Sequence, residues 1–134
     1  MKIFVTGGAG YIGSHAVLEL LRAGQEVCSY DNYCNSSPEA LRRVRRLANA
    51  DLSEIQGDVR DRAQLLQAME GFLPNAVIHF AGLKAVGKSA KKPLSYYDTN
   101  VVGTLRLLEA MDGVGCQRII FSSSATVYGD PQYL

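Results

Sequence analysis

Cysteine is scarce in this sequence, and it is unpaired. The three cysteines, at 28, 34 and 116, are odd in number and lack the C-x-x-C spacing of a zinc site or a redox motif, so reduced thiols are expected, with Cys28 and Cys116 as packing residues. Only two histidines occur, His15 and His79, far apart and without a carboxylate at metal-ligand spacing, so no metal site is expected. A surplus of charge is missing too. Fourteen basic and 13 acidic residues leave a net charge of +1, which draws the protein neither to nucleic acid nor to an anionic membrane. No apolar run is long enough to span a bilayer and no basic-then-apolar leader precedes the first strand, so a cytoplasmic location is expected. Internal repeats, linkers and shifts in composition are absent as well. With 47% hydrophobic and 20% charged residues, the 134 positions are expected to form one domain around a real core.

What is present starts with glycine. In Lys2-Ile3-Phe4-Val5-Thr6-Gly7-Gly8-Ala9-Gly10-Tyr11-Ile12-Gly13, a β-branched and aromatic run breaks into closely spaced glycines and then into an apolar-periodic segment. This reads as strand, tight turn, helix. Glycine lets a backbone approach a pyrophosphate with no Cβ in the way, and the N–H groups that open the following helix face that anion with the positive end of the helix dipole. Such a turn is common, so its context decides. Residues 26–30 read as a second strand, and Asp31 ends it at about the 20-residue spacing from Gly13 at which a dinucleotide fold places an acceptor for the adenosine ribose hydroxyls. An acid at that place would also repel a 2′-phosphate, which favours NAD over NADP.

Pro38 opens a helix through Leu41, Val44, Leu47 and Ala48, and Arg42, Arg43, Arg45 and Arg46 are read chiefly as its solvated face. A third strand, 52–56, leads to Gly57, Asp58 and Val59. There Asp58 is equally a cap or a ligand contact at a strand's carboxyl end. Asp61 is expected to cap a helix running up to Gly71. The fourth strand, 75–80, is continuously apolar, as for a strand covered on both faces, and it delivers Ala81-Gly82-Leu83-Lys84 to its carboxyl end. Pro93 then opens one longer helix, expected to bury its stripe of Tyr and Leu and to use Gly103 for a close packing contact. A fifth strand, 117–121, runs into three serines, a turn sequence that here falls at the ligand edge of the sheet. The alternation predicts an α/β fold: a Rossmann-like, doubly wound parallel sheet with right-handed crossovers and strand order 3-2-1-4-5.

These residues together resemble the extended short-chain dehydrogenase/reductase family, and within it the nucleotide-sugar 4-epimerases. The likeness is carried by the glycine turn from Thr6 to Gly13, by Asp31-Asn32, Cys34-Asn35-Ser36 and Tyr96-Tyr97-Asp98, and most specifically by residues 79–87 and 122–129. It implies a bound NAD. Gly7, Gly10, Tyr11, Ile12 and Gly13 would form the pyrophosphate turn, Asp31, Asn32, Asn35 and Ser36 would hold the adenosine ribose, and Asp58 with Val59 would flank adenine. Phe80, Ala81, Gly82 and Lys84 would line the cofactor, with Lys84 on the nicotinamide ribose, while Asn100 and Ser122 complete the surroundings. Ser124 would be catalytic, bonded to the 4-hydroxyl of the sugar. The reaction implied is interconversion of UDP-glucose and UDP-galactose, with hydride removed from C4 and returned to the opposite face, in an enzyme expected to be a homodimer. Other nucleotide-sugar dehydratases, decarboxylases or reductases share the glycine turn and the serine, and a non-catalytic NAD-binding module would share the turn.

The family takes its base from a Tyr-x-x-x-Lys pair, and no tyrosine of this sequence has lysine at the fourth position after it. The chain is therefore expected to be the N-terminal part of such an enzyme, a single incomplete nucleotide-binding domain over residues 1–134 that is inactive alone. Two departures from the family pattern stand out: Lys88, where glutamate is expected, and Thr99, where some relatives carry asparagine.

Overall fold

A computed structural model describes residues 1–124 and Gly129. Strands β1 (Lys2–Thr6), β2 (Glu26–Asp31), β3 (Ser53–Gln56), β4 (Ala76–His79) and β5 (Ile119–Phe121) form one parallel sheet in the order β3-β2-β1-β4-β5. This is the order expected from the alternation of elements. The chain steps outward from β1 to β3 and then returns to set β4 on the other side of β1. The carboxyl ends of β1 and β4 thus flank the switch point at which open α/β sheets hold their ligands.

Helices cover both faces, which is why the middles of β1 (Ile3, Phe4, Val5) and β4 (Val77, Ile78) are apolar and buried. Successive side chains of a strand point to opposite faces, so Ile3 and Val5 pack with Val17, Leu21, Leu41 and Val44 under α1 (Tyr11–Arg22) and α2 (Pro38–Ala48). Phe4 and Val77 pack on the other side with Leu65, Met69, Leu107 and Met111, under α3 (Arg62–Phe72) and α6 (Gly103–Gly113). Leu41, Leu65 and Leu107 are fully buried, each worth about 1.5–3 kcal/mol relative to exposure. Cys28 and Cys116 are buried in the second of these cores, as expected of packing residues.

Local chemistry sets the helix ends. The Ser37 hydroxyl accepts from the Glu39 amide ahead of α2, where Pro38 holds the first helical position, and Asp61 accepts from the Gln64 amide to cap α3. Helix α3 runs through Gly71 to Phe72 and ends on Leu73 in the left-handed region, so Gly71 is not its stop. Arg42, Arg43 and Arg46 are exposed, but Arg45 turns inward, donating to the Leu52 carbonyl at 2.8 Å and pairing with Glu54 at 3.1 Å.

The single helix expected after Pro93 is broken into three parts. A short α5 (Pro93–Tyr97) leads into a π-helical turn, Asp98–Val102, before α6, and a further short turn, α4 (Val86–Ser89), precedes them. The expectation for the Tyr and Leu stripe needs correction as well. Gly103, Leu107, Ala110 and Met111 face inward, whereas Tyr97, Val101, Leu105 and Leu108 are exposed, because one helix presents only one face to one sheet. Gly103 does make the close contact: a Cβ there would lie 2.7 Å from Val59 Cγ2. Strand β5 begins only at Ile119, and its three residues are exposed. Among the described residues no helix is long and apolar enough to cross a membrane.

Candidate functional site

The turn after β1 is built so that nothing fits inside it. Gly7 has φ +72°, a conformation that L side chains rarely adopt, and a Cβ on it would lie 2.6 Å from the Ala81 amide nitrogen. A Cβ on Gly13 would collide with the Gly7 carbonyl oxygen and lie 2.9 Å from Gly8 Cα. The glycines therefore bring the first turn of α1, the end of β1 and the loop after β4 into direct backbone contact. Helix α1 starts without a side-chain cap, which leaves the amides of its first turn, from Tyr11 onward, without acceptors within the helix. An uncapped start of a twelve-residue helix offers an anion both hydrogen bonds and a favourable dipole.

Asp31 closes the turn from the other side. Its carboxylate is buried and accepts three hydrogen bonds: from the Ala9 amide at 3.0 Å, the Tyr33 amide at 2.9 Å and the Ser36 hydroxyl at 2.8 Å. It thus joins the glycine turn to the 32–36 loop before any ligand is considered. Next to it, Asn32 donates to Asp58 at 2.9 Å and accepts from the Cys34 amide at 3.0 Å.

Of the residues expected at the site, Gly7, Gly10, Tyr11, Ile12, Gly13, Asp31, Asn32, Asn35, Ser36, Val59, Phe80, Ala81, Gly82 and Lys84 line a single cleft of about 550 Å³. Asp58, Asn100, Ser122 and Ser124 stand outside its walls. Asp58 is taken up by Arg60, which donates to it through the backbone amide, Nε and a terminal nitrogen, and reaches Asp98 at 2.8 Å with the other terminal nitrogen. Those bonds from Arg60 hold the Asp58 carboxyl well below the usual carboxylate range, against the opposing effect of burial. Its carboxylate therefore ties the end of β3 to the π-helical turn. Asn100 grips the backbone of Leu83 from behind the cleft, accepting from its amide at 2.7 Å and donating to its carbonyl at 2.8 Å. The Ser122 amide donates to the His79 carbonyl at 3.2 Å, and Ser122 and Ser124 are both exposed. The remainder of the serine segment, 125–128, lies outside the described residues.

One wall of the cleft, formed by Lys88, Lys92, Ser95, Tyr96 and Thr99, was reached by sequence reasoning only in part: Lys88, Tyr96 and Thr99 were noticed but not assigned to the site, and Lys92 and Ser95 were passed over. A signal was available, because Lys84, Lys88, Lys92 and Tyr96 recur at every fourth position. None of the three lysines pairs with a carboxylate among the described residues, and Asp31, already accepting three bonds, is the one acid on the cleft surface there. The cleft is therefore electropositive although the chain is nearly neutral. Its geometry suits an elongated ligand with negative charge near the turn and hydroxyls toward Asp31.

The family model for GDP-mannose 4,6 dehydratase matches residues 4–134. The UDP-glucose 4-epimerase of Haemophilus influenzae is 54% identical over 134 residues, which are the whole of this chain and 40% of that protein. A UDP-glucose 4-epimerase from Klebsiella pneumoniae is 53% identical over 130 residues, covering 97% of this chain and 94% of that sequence. Among solved structures, the Bifidobacterium longum UDP-glucose 4-epimerase in complex with NAD+ and UDP superposes with a TM-score of 0.95 at 50% identity, over all of this chain and 40% of that one. The present chain thus spans about two fifths of the length of the Haemophilus and Bifidobacterium proteins.

Proposed function

The chain belongs to the UDP-glucose 4-epimerase family, within the larger group that the GDP-mannose 4,6 dehydratase model describes, and on that footing we propose that its cleft holds NAD for the interconversion of UDP-glucose and UDP-galactose. The observation that carries the proposal is the meeting, in one electropositive cleft, of a turn closed to any Cβ, an uncapped helix start and a buried aspartate. The residues present fit the cofactor. Backbone amides from Tyr11 onward offer the diphosphate its hydrogen bonds, and the absence of Cβ atoms at Gly7 and Gly13 leaves room for close approach. Two carboxylate oxygens provide about four acceptor sites, so Asp31, with three in use, keeps about one for a ribose hydroxyl. A 2′-phosphate in the same position would meet that buried negative charge, which supports NAD over NADP.

In this reading Asp58 and Val59 flank adenine, while Phe80, Ala81, Gly82 and Lys84 line the nicotinamide side, where the Lys84 ammonium donates to a ribose hydroxyl. NAD, when bound, supplies a reversible hydride acceptor for C4 of the sugar. Ser124 donates to or accepts from the 4-hydroxyl and so orients the C4–H bond. A neutral serine cannot remove that hydroxyl's proton at a useful rate, so turnover needs a stronger base, and this sequence contains no Tyr-x-x-x-Lys pair to provide it. The 134-residue chain on its own then binds the dinucleotide without converting the sugar. The proposal also places the protein in the cytoplasm, with its three thiols reduced.

Titration calorimetry of the chain with NAD and NADP tests this directly. NAD is expected to bind at least about tenfold more tightly than NADP, and Asp31→Ala to abolish measurable binding while costing about 2–3 kcal/mol of stability, since three donors lose a charged acceptor. Equal NAD affinity in Asp31→Ala and the parent would overturn the assignment.

A further inference from the structure

His79, the last residue of β4, is 1% exposed, and both of its ring nitrogens meet hydroxyls. Nδ1 lies 2.5 Å from Thr6 Oγ1 and Nε2 lies 2.9 Å from Thr104 Oγ1. The direction of each bond follows from one further contact. Thr104 Oγ1 donates to the Asn100 carbonyl at 2.7 Å, and a hydroxyl has only one proton to give. Toward His79, Thr104 must therefore accept, which puts the ring proton on Nε2. In the neutral ring Nδ1 is then bare and accepts from the Thr6 hydroxyl. A continuous relay results: Thr6 donates to His79, His79 to Thr104, and Thr104 to the Asn100 carbonyl.

The two ends of this relay lie outside the cleft, each behind a different part of its lining. Thr6 immediately precedes Gly7. Asn100 sits in the π-helical turn and holds Leu83 through both its amide and its carbonyl, and Leu83 adjoins Lys84 on the wall that sequence reasoning reached only in part. π-Helical turns are costly and recur at functional sites, and here the extra residue per turn is accompanied by Asn100 facing the 81–84 loop rather than the core. A ring serving only to fill space would need no such polar partners, and Phe121, with its centroid 5.5 Å away, would pack as well against a phenyl group.

We propose that His79 is a positioning residue: as the neutral Nε2–H tautomer it fastens the π-helical turn, and through Asn100 the Leu83–Lys84 wall, to the end of β1, and so sets the width of the dinucleotide cleft. This deepens the NAD reading and rests on it for the ligand, but not for the relay itself. Burial alone pushes the imidazole down to about 4, which keeps the ring neutral at physiological pH.

The relay and the NAD reading are separated by what is measured. Nitrogen-15 spectra of the chain at neutral pH are expected to show a protonated Nε2 and a bare Nδ1 at His79; the opposite tautomer overturns the relay. In Thr104→Val, which keeps the shape and removes the hydroxyl, and in His79→Phe, exchange of the Leu83 amide is expected to accelerate at least tenfold. Thr104→Ser restores the hydroxyl, and His79→Gln offers one acceptor and one donor, so both are expected to keep the protection of the parent. NAD affinity is expected to fall about tenfold in the first pair of variants and less than threefold in the second. Unchanged Leu83 exchange in a folded Thr104→Val chain overturns the positioning role. Failure of the parent chain to bind NAD removes the cofactor reading while the exchange rates still decide the relay.

Discussion

The two walls of the cleft are built by opposite means. The β1–β2 wall is backbone against backbone: a Cβ at Gly7 would lie 2.6 Å from a main-chain nitrogen, and its one carboxylate is buried and triply bonded. The wall from Phe80 to Thr99 is side chain against backbone, with Asn100 holding Leu83 and exposed lysines facing the cleft, and a Cβ at Gly87, next to that wall, meets none of the described residues within 4 Å. The first wall has one solution and cannot adjust. The second is held by a few replaceable contacts, so ligand choice can be altered there without losing the fold.

The largest test of this contrast is a pair of alanines. Gly13→Ala sets a methyl group against the Gly7 carbonyl and is expected to cost about 3 kcal/mol in urea denaturation and to eliminate NAD binding. Gly87→Ala, in open space on a short helical turn, is expected to be neutral or to gain up to about 1 kcal/mol. Similar costs at the two positions would break the comparison.

An effect of comparable size should come from acid. His79 is lowered from an ordinary value of 6.5 to about 4, so between those pH values the unfolded chain binds a proton that the folded chain refuses. Stability is therefore complete above pH 6.5, declines by about 3 kcal/mol as pH falls toward 4, and loses nothing more to this residue below it. Asp58, also lowered, acts in a separate window that opens only as pH falls below its ordinary 3.8. Denaturation curves at pH 7, 5.5 and 4 should show the upper window in the parent and lose it in His79→Gln. A decline of equal size in both would exclude His79 as its source.

The smallest effect sharpens the picture of the adjustable wall. Lys88→Glu replaces an unpaired cation of the cleft with the anion that the family pattern leads one to expect. Through screened solvent this should weaken NAD binding by about two- to fivefold at low salt, with the difference vanishing near 0.5 M salt. Calorimetry at two ionic strengths measures it, and a salt-independent difference would point to a direct contact instead.

Most of the rigid wall was legible in the sequence, and little of the adjustable one. The glycine spacing and Asp31 announce themselves because tight turns demand glycine and because the second strand must end where the turn can reach it. Asp58 was open to two readings because its partner, Arg60, is only two residues away while the consequence, a bridge to Asp98, spans 38. Asn100 was expected at the site, but its hold on Leu83 across 17 positions depends on a π-helical turn that apolar periodicity does not reveal. The outward face of α6 misled for a related reason: Leu105 and Leu108 follow the same composition as Leu107 and differ only in which side of the helix meets the sheet.

By itself the sequence determined the strand–turn–helix opening, the alternation that forces a parallel sheet, and the order of its strands. The opening and the alternation depend on local sterics and on periods of a few residues, and the strand order follows because right-handed crossovers leave such an alternation few topologies. Only the tertiary structure revealed that Asp58 accepts from Arg60, that Asn100 holds Leu83 from behind the cleft, and that His79 links Thr6 to Thr104. Each of these depends on the geometry of hydrogen bonds between groups distant in the chain, 73 positions apart for Thr6 and His79, and no local pattern encodes which donor will face which acceptor.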